Sequence, residues 1–318
     1  MSNEDNKETA DLPLLSTPAD EWPSKSSHVE VDLAASSHPG KLRSNNEDHY
    51  LVARADRTFR PLITNISKGN VPEESTETVY GMVVADGMGG HVAGEVASRM
   101  AISAFVDLIL RTPDWIMRID EHLITEVLAR MARRFRDIKN TLIEQALADP
   151  KLAGMGTTMT LFFSLGADSI IAHVGDSRAY VYRRGELTRL TRDHTLVQSL
   201  ADVGAIGPED VATHSMRHVL TNAIDTQQGD VRAELHQLRL MDGDQLLLCS
   251  DGLTDMVPES AIADALQAPG SAADSCRALI DLALEGGGHD NVTVVLARYS
   301  IPEERSAKTQ VPSAVVSG

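Results

Sequence analysis

The sequence predicts an α+β fold, and three observations carry that prediction. Seven short apolar or alternating runs read as strands, two long stretches mid-chain carry a helical stripe, and the helices stand apart from the strands instead of alternating with them. The first strands are expected at 49–53 and 79–85, the second ending in the unbroken apolar run Met82-Val83-Val84-Ala85. Two helices follow. Over 93–110, Val96, Met100, Ala104 and Leu108 share one stripe. Over 121–148, Leu123, Val127, Met131, Phe135, Ile138, Leu142 and Ala146 recur at spacings of three and four. Further strands are expected at 157–163, 169–174, 179–183, 245–249 and 292–297, with a third helix over 271–284. Residues 56–78 read as a long polar loop, and 190–230 as an irregular stretch with short helical pieces; both are candidates for movable flaps.

At 318 residues the chain has length for about two domains of ~150 residues, but no linker or internal repeat interrupts 29–300, so one domain is expected there. It is flanked by an acidic N-terminal tail at 1–28, expected to be disordered, and a flexible C-terminal tail at 301–318. Hydrophobic residues at 42% suffice for a large core, and aromatics at 4% leave that core to Val, Ile, Leu, Ala and Met. The net charge is −17, of which residues 1–32 contribute −6. That balance argues against nucleic acid, which needs clustered Lys and Arg, and against docking on an anionic membrane. Two cysteines, Cys249 and Cys276, exclude a disulfide scaffold and a cysteine-built zinc site, and suit a reducing compartment. No apolar run reaches the ~18 residues of a membrane span, and Met-Ser-Asn-Glu-Asp is no signal peptide, so a cytoplasmic location is expected.

Four aspartates share one context. Asp86, Asp176 and Asp251 each follow an apolar run, and Asp290 precedes one, so each carboxylate sits where a buried strand meets a loop. Glycine adjoins three of them (Gly87, Gly175, Gly252), which lets the backbone turn sharply or approach a ligand. Singly, each also reads as a turn residue, as Asp242-Gly243-Asp244 does. Together they are harder to read as turns, because unpaired carboxylates held close repel unless a cation neutralises them. An all-oxygen ligand set suits Mg²⁺ or Mn²⁺. Arg43, five residues before Asp48, offers a fork for phosphate or is simply a surface residue. His214 and His218 stand at i, i+4 without a zinc-protease motif, and read as an exposed flap helix; Arg217 and His218 read as solvated surface more readily than as substrate contacts.

Seven segments, in order, resemble the metal-dependent protein Ser/Thr phosphatases of the type 2C (PPM) family. They are Arg43-Ser44-Asn45-Asn46-Glu47-Asp48, the run from Ala85 through Asp86-Gly87-Met88-Gly89-Gly90-His91 to Glu95, Met155-Gly156-Thr157-Thr158, Gly175-Asp176-Ser177-Arg178, Thr191-Arg192-Asp193-His194-Thr195, Leu248-Cys249-Ser250-Asp251-Gly252-Leu253, and Gly288-His289-Asp290-Asn291-Val292-Thr293. The ordered set spans about residues 29–300 and is specific where any one segment is weak. The resemblance implies a four-layer α-β-β-α sandwich of two packed antiparallel sheets. It implies that Asp86, Asp251 and Asp290 bind a first metal. It places a second at Asp86 and the Gly87 carbonyl, with Glu47 and Asp48 contacting it directly or through water. It implies a third, weaker site at Asp176, phosphate binding by Arg43, and support from Asn291 beside Asp290. The catalytic set is then Arg43, Asp86, Asp251 and Asp290, with two Mn²⁺ or Mg²⁺ ions activating a bridging water for in-line attack on phospho-Ser/Thr. The partners implied are phosphorylated proteins and a counterpart Ser/Thr kinase.

Two features depart from the family pattern. Met88 stands where one branch carries a proton-donating His; Asp-Gly-Met-Gly-Gly is similar to the bacterial branch, and leaving-group protonation falls to a metal-bound water or to His91, which reads more readily as a helix-start residue. The 56–78 loop is longer than that connection needs. A binding-only phosphatase-like module is the alternative, though no matching acid is missing. A dinucleotide fold fails because Val92 stands where a third glycine belongs, a nuclease fails on charge, and position 255 is Asp, so Cys249 is not followed by the Arg of a cysteine phosphatase.

Overall fold

Strands buried on both faces account for the sandwich. In the run Gln245–Cys249, Leu246 and Leu248 face one core while Leu247 and Cys249 face another. In 82–85, Met82 and Val84 face the first, and Val83 and Ala85 a third. The period of two puts alternate apolar side chains on opposite sides, so a continuous apolar run marks a strand covered on both. The computed structural model describes residues 29–63, 75–111, 121–227 and 229–301; the expected N-terminal tail and 302–318 lie outside the described residues.

Twelve strands are described: β1 Glu30–His38, β2 Asp48–Phe59, β3 Ser75–Met88, β4 Gly156–Thr157, β5 Met159–Leu165, β6 Asp168–Val174, β7 Arg178–Arg183, β8 Glu186–Arg189, β9 Ile224–Asp225, β10 Glu234–Arg239, β11 Gln245–Cys249 and β12 Val292–Ser300. One sheet runs β1-β12-β11-β7-β8. The other runs β10-β6-β5-β3-β4-β9, with β2 on β3. Every pairing between them is antiparallel. Between the sheets lies a core of Met82, Val84, Phe162, Val181, Leu246, Leu248, Val295 and Tyr299. Outside the second sheet pack α1 (His91–Arg111) and α2 (Glu121–Ala148), through Ala97, Ala101, Phe105, Met131, Phe135 and Leu142. Outside the first pack α5 (Glu259–Gln267) and α6 (Ala272–Glu285), through Ile262, Leu266, Cys276 and Leu279. The four α-β-β-α layers are those expected. Two short helices, α3 (Leu196–Asp202) and α4 (Asp251–Thr254), complete the set.

Four expectations need correction. The stretch expected as a polar loop at 56–78 begins and ends as strand: β2 continues to Phe59 and β3 begins at Ser75, while 64–74 lie outside the described residues. Beyond the reach of β5, which pairs β3 only from Val79, Asp56, Thr58 and Thr76 are exposed and the paired strand ends are mostly polar. Cross-strand hydrogen bonds Thr78 to Asp56 (2.7 Å) and Thr58 to Thr76 (3.1 Å) hold them together. The single strand expected at 157–163 is broken at Thr158. Ile301, expected to open the C-terminal tail, is instead buried and donates its N–H to Asp242. Asp244 is more than a turn residue: fully buried, it binds Arg183 through two hydrogen bonds of 2.8 and 2.6 Å.

Candidate active site

The antiparallel registers bring five aspartates to one end of the sandwich. Asp48 opens β2 and pairs across to Asp86 near the end of β3. Asp176 follows β6, whose end lies beside the start of β5 and so beside the end of β3. Asp251 starts α4 directly after β11, and Asp290 precedes β12, the strand paired to β11. The sheets meet there through Ser250, whose hydroxyl donates to Asp48 Oδ2 (2.7 Å) and accepts the Thr293 N–H (3.0 Å).

The break at Thr158 joins two of these carboxylate loops. Its N–H donates to the Asp86 carbonyl (2.9 Å), its hydroxyl accepts the Asp86 N–H (3.0 Å), and the same oxygen lies 2.9 Å from Ser177 Oγ. Gly175, at φ +114°, lies so close to Thr158 that a Cβ would fall 2.4 Å from the threonine Cβ. No other residue fits that turn. Gly87 is equally confined: a Cβ there would lie 2.1 Å from the Gly94 carbonyl oxygen of α1. Its N–H donates to the Glu47 carbonyl (3.2 Å), and the Glu47 carboxylate sits over Gly94. Asn291 uses its whole amide on this loop, accepting from Glu47 N–H (2.8 Å) and donating to the carbonyls of Pro39 (3.0 Å) and Asn45 (2.8 Å).

Arg43 lies 2.6 Å from Asp290 Oδ2, with both side chains partly exposed at the rim. Asp48 is buried, and Asp86, Asp176 and Asp251 are half-buried. Burial, against partial relief from the Ser250 and Thr293 hydroxyls, raises Asp48 to about 7, and Asp251 and Asp290 add to the rise. Burial first, then Asp48, Asp251, Asp176 and Asp290, raise Asp86 well above the carboxylate range. Asp176 is raised well above it too, by burial and then by Asp251 and Asp193. Asp48 Oδ1 is buried without a hydrogen-bond partner. Such a cluster of mutually repelling oxygens, one of them orphaned, is the donor set a hard divalent cation takes. The residues therefore fit Mg²⁺ or Mn²⁺.

The flap over this site departs from expectation. A 3₁₀ helix covers Pro208–Thr213, but 215–218 form a turn, so His214 and His218 share no helix face. His218 is not merely solvated: it lies 3.5 Å from Asp251 and 3.4 Å from Asp255, and Arg217 lies 3.8 Å from Asp255. Asp251 and Asp255 hold the His218 imidazolium, raising it above the usual histidine range. Asp255 carries no signal in the linear sequence, because its place depends on a contact with a distant segment; Thr158 and Ser250 lie in quoted segments that do not disclose their contacts. The side chain of His91 lies outside the described residues.

The family model for protein phosphatase 2C matches residues 72–279. The chain belongs to the protein phosphatase 2C family. It is 40% identical over 234 residues to the serine/threonine protein phosphatase PstP of Mycobacterium tuberculosis, a match covering 72% of this chain and 43% of PstP. The chain thus spans less than half the length of that relative. It is 34% identical over 267 residues to the serine/threonine phosphatase stp of Listeria welshimeri, covering 83% of this chain and 94% of the relative. Among solved structures, the catalytic domain of PstP in complex with two manganese ions is 36% identical, with a TM-score of 0.66 over 86% of this chain and 100% of that one. The S. agalactiae serine/threonine phosphatase is 31% identical, with a TM-score of 0.69 over 86% and 100%. Each of these relatives carries a serine/threonine phosphatase name, and the solved structures share the fold of this chain.

Proposed function

We propose that this chain is a divalent-metal-dependent phosphoprotein phosphatase hydrolysing phospho-Ser/Thr. The observation that carries the reading is the convergent carboxylate cluster with its buried, orphaned Asp48 Oδ1, in a chain of the phosphatase 2C family. Asp86, Asp251 and Asp290 would hold a first cation; Asp86 and the Gly87 carbonyl would hold a second with Glu47 and Asp48 beside it. Asp176 would hold a third, weaker one. Bound Mn²⁺ or Mg²⁺ supplies an acidified water and screens phosphoryl charge. The protein's own residues do the rest. Arg43 presents its guanidinium at the rim, where it can exchange Asp290 for a phosphoryl group. Asn291 and Gly87 fix the Glu47 loop. Met88 has no proton to give, so the leaving group is protonated from elsewhere.

No covalent intermediate is needed. Cys249 is fully buried and its thiol is pushed up to about 12 by that burial, which makes it a core residue and a poor nucleophile. The binding-only alternative is not favoured, since every matching acid is present and the named relatives are phosphatases. Phosphorylated proteins are the substrates in this reading, with a Ser/Thr kinase as counterpart. The two free, buried cysteines suit a reducing compartment, and we place the domain in the cytoplasm; no described helix is long and apolar enough to cross a membrane.

The test is hydrolysis of p-nitrophenyl phosphate and a phosphothreonine peptide in EDTA, Mg²⁺ and Mn²⁺, with Asp251→Asn alongside. Turnover that needs the cation and vanishes in a folded Asp251→Asn is the expected result. A folded wild type inert with every cation would return the binding module to first place.

A further inference from the structure

The segment Thr191-Arg192-Asp193-His194-Thr195 stands apart in the sequence, yet no step above uses it. In the structure His194 meets the Asp176 loop twice. Its N–H donates to the Gly175 carbonyl (2.7 Å), and its Nδ1 accepts the Gly175 N–H (3.1 Å). Asn222 Nδ2, from the far end of the flap, points at the same Nδ1 (3.2 Å), while the Asn222 amide also exchanges hydrogen bonds with the Arg232 backbone (2.6 and 3.2 Å). The His194 carbonyl accepts the Thr221 N–H (2.8 Å), and Thr195 bridges Leu220. Both ends of the flap and the turn that aims Asp176 are thus tied at one residue.

The chemistry fixes the ring's state. With two donors on Nδ1, that nitrogen must be bare, and the proton sits on Nε2, which faces Glu234 (3.6 Å). The ring stacks on His173, centroids 4.9 Å apart. Because the Arg192 carbonyl can only accept, His173 donates to it from Nε2 (3.1 Å) and accepts the Thr160 hydroxyl at Nδ1 (2.8 Å). Asp193 is anchored by Arg178, two residues beyond Asp176, and by Arg189. The ligand atoms of His173, His194 and Glu234 lie close enough for a metal, but hydrogen bonds occupy both nitrogens of His173 and Nδ1 of His194, so the group is a brace.

We propose that His194 is a positioning residue that sets the Gly175-Asp176 turn and couples it to the flap carrying Arg217 and His218. The inference rests on the metal-dependent reading above. Cation affinity at Asp176 and the stance of the flap over Asp251 are then set together, and a change at one is felt at the other.

The experiment compares full-length wild type, His194→Asn, His194→Phe, Asp176→Asn and the double variant Asp176→Asn/His194→Phe. Mn²⁺ binding is followed by calorimetry, phosphopeptide KM and kcat are measured at saturating Mn²⁺, and folding is checked by circular dichroism. Asn places an amide oxygen where Nδ1 stands and keeps the acceptor; Phe keeps the stack on His173 and removes it. His194→Phe should weaken the weakest Mn²⁺ site by ~10-fold or more, as loss of an outer-shell partner does, and raise phosphopeptide KM. His194→Asn should stay close to wild type, and His194→Phe should add nothing to the Mn²⁺ defect of Asp176→Asn. A wild-type isotherm in His194→Phe, equal defects in the Phe and Asn variants, or additive losses in the double variant would overturn the proposal. A wild type that binds no Mn²⁺ at all would instead overturn the metal-dependent reading beneath it.

Discussion

Arg43 and His173 show how much one side chain's surroundings decide. Arg43 lies at the rim with Asp290 as its partner, so truncating it removes a phosphate contact without touching the core. Arg43→Ala should keep the fold, raise KM for a phosphothreonine peptide by ~10-fold, in keeping with the strength of a charge-assisted bond, and affect p-nitrophenyl phosphate less; unchanged peptide kinetics would remove it from the site. His173 is the opposite case. It is fully buried, and burial lowers its pKa to about 3 from 6.5. Between those values the unfolded chain binds a proton that the folded chain refuses. Stability is therefore lost as pH falls through that window. His173→Gln can donate to Arg192 and accept from Thr160 without titrating, so its Tm should fall less steeply than wild type between pH 7 and pH 5. Parallel slopes would show that the brace does not govern acid lability.

At the scale of elements, α2 reaches the site through one ion pair. Lys139 lies 2.7 Å from Asp225 of β9, both side chains largely buried. β9 pairs β4, and β4 pairs Gly87 and Met88 of β3. Lys139→Met should leave Asp225 uncompensated, cost about 3 kcal/mol in urea unfolding, and lower activity through the Gly87 loop. Full stability in that variant would mean that water replaces the pair. This contact also marks the limit of what the sequence discloses. β11 and β12 are legible because both faces are buried and their runs are unbroken, and α2 because its stripe repeats over seven turns. β1, β8 and β10 are sheet edges or next to them and mix polar with apolar residues, so their pattern is that of a loop. The paired strand ends at 56–59 and 75–78 hide because they too are mostly polar. Of the site, the aspartates at strand ends stand out because chemistry and strand boundaries coincide there. Lys139 and Asp255 do not, since each matters only through a partner that folding brings near, and for Thr158 and His194 the quoted segments mark the position but not the contact.

For the whole molecule, the site is the seam between the two sheets. Asp48 and Asp86 lie on strands of one sheet and Asp176 just past a third, while Asp251 and Asp290 flank β11 and β12 of the other. Packing Met82, Val84, Leu248 and Val295 face to face forces these carboxylates together. The apolar core thus holds in place a repulsion that it does not relieve, and burial, with that repulsion added, raises the pKa values of Asp86 and Asp176. Removing one charge should ease it. In EDTA at pH 8, Asp251→Asn should melt at the same temperature as wild type or above it. Cation should reverse the order. A ligand at 100 times its Kd stabilises the folded state by about 2.7 kcal/mol, which for a domain of this size is a rise of roughly 5–10 °C in Tm. Wild type should show that rise with Mn²⁺, and Asp251→Asn only a fraction of it, so the two melting curves cross as cation is added. Should Asp251→Asn instead melt well below wild type in EDTA, Asp251 would be holding the sandwich together by its own hydrogen bonds, and the seam would be structural before it is catalytic.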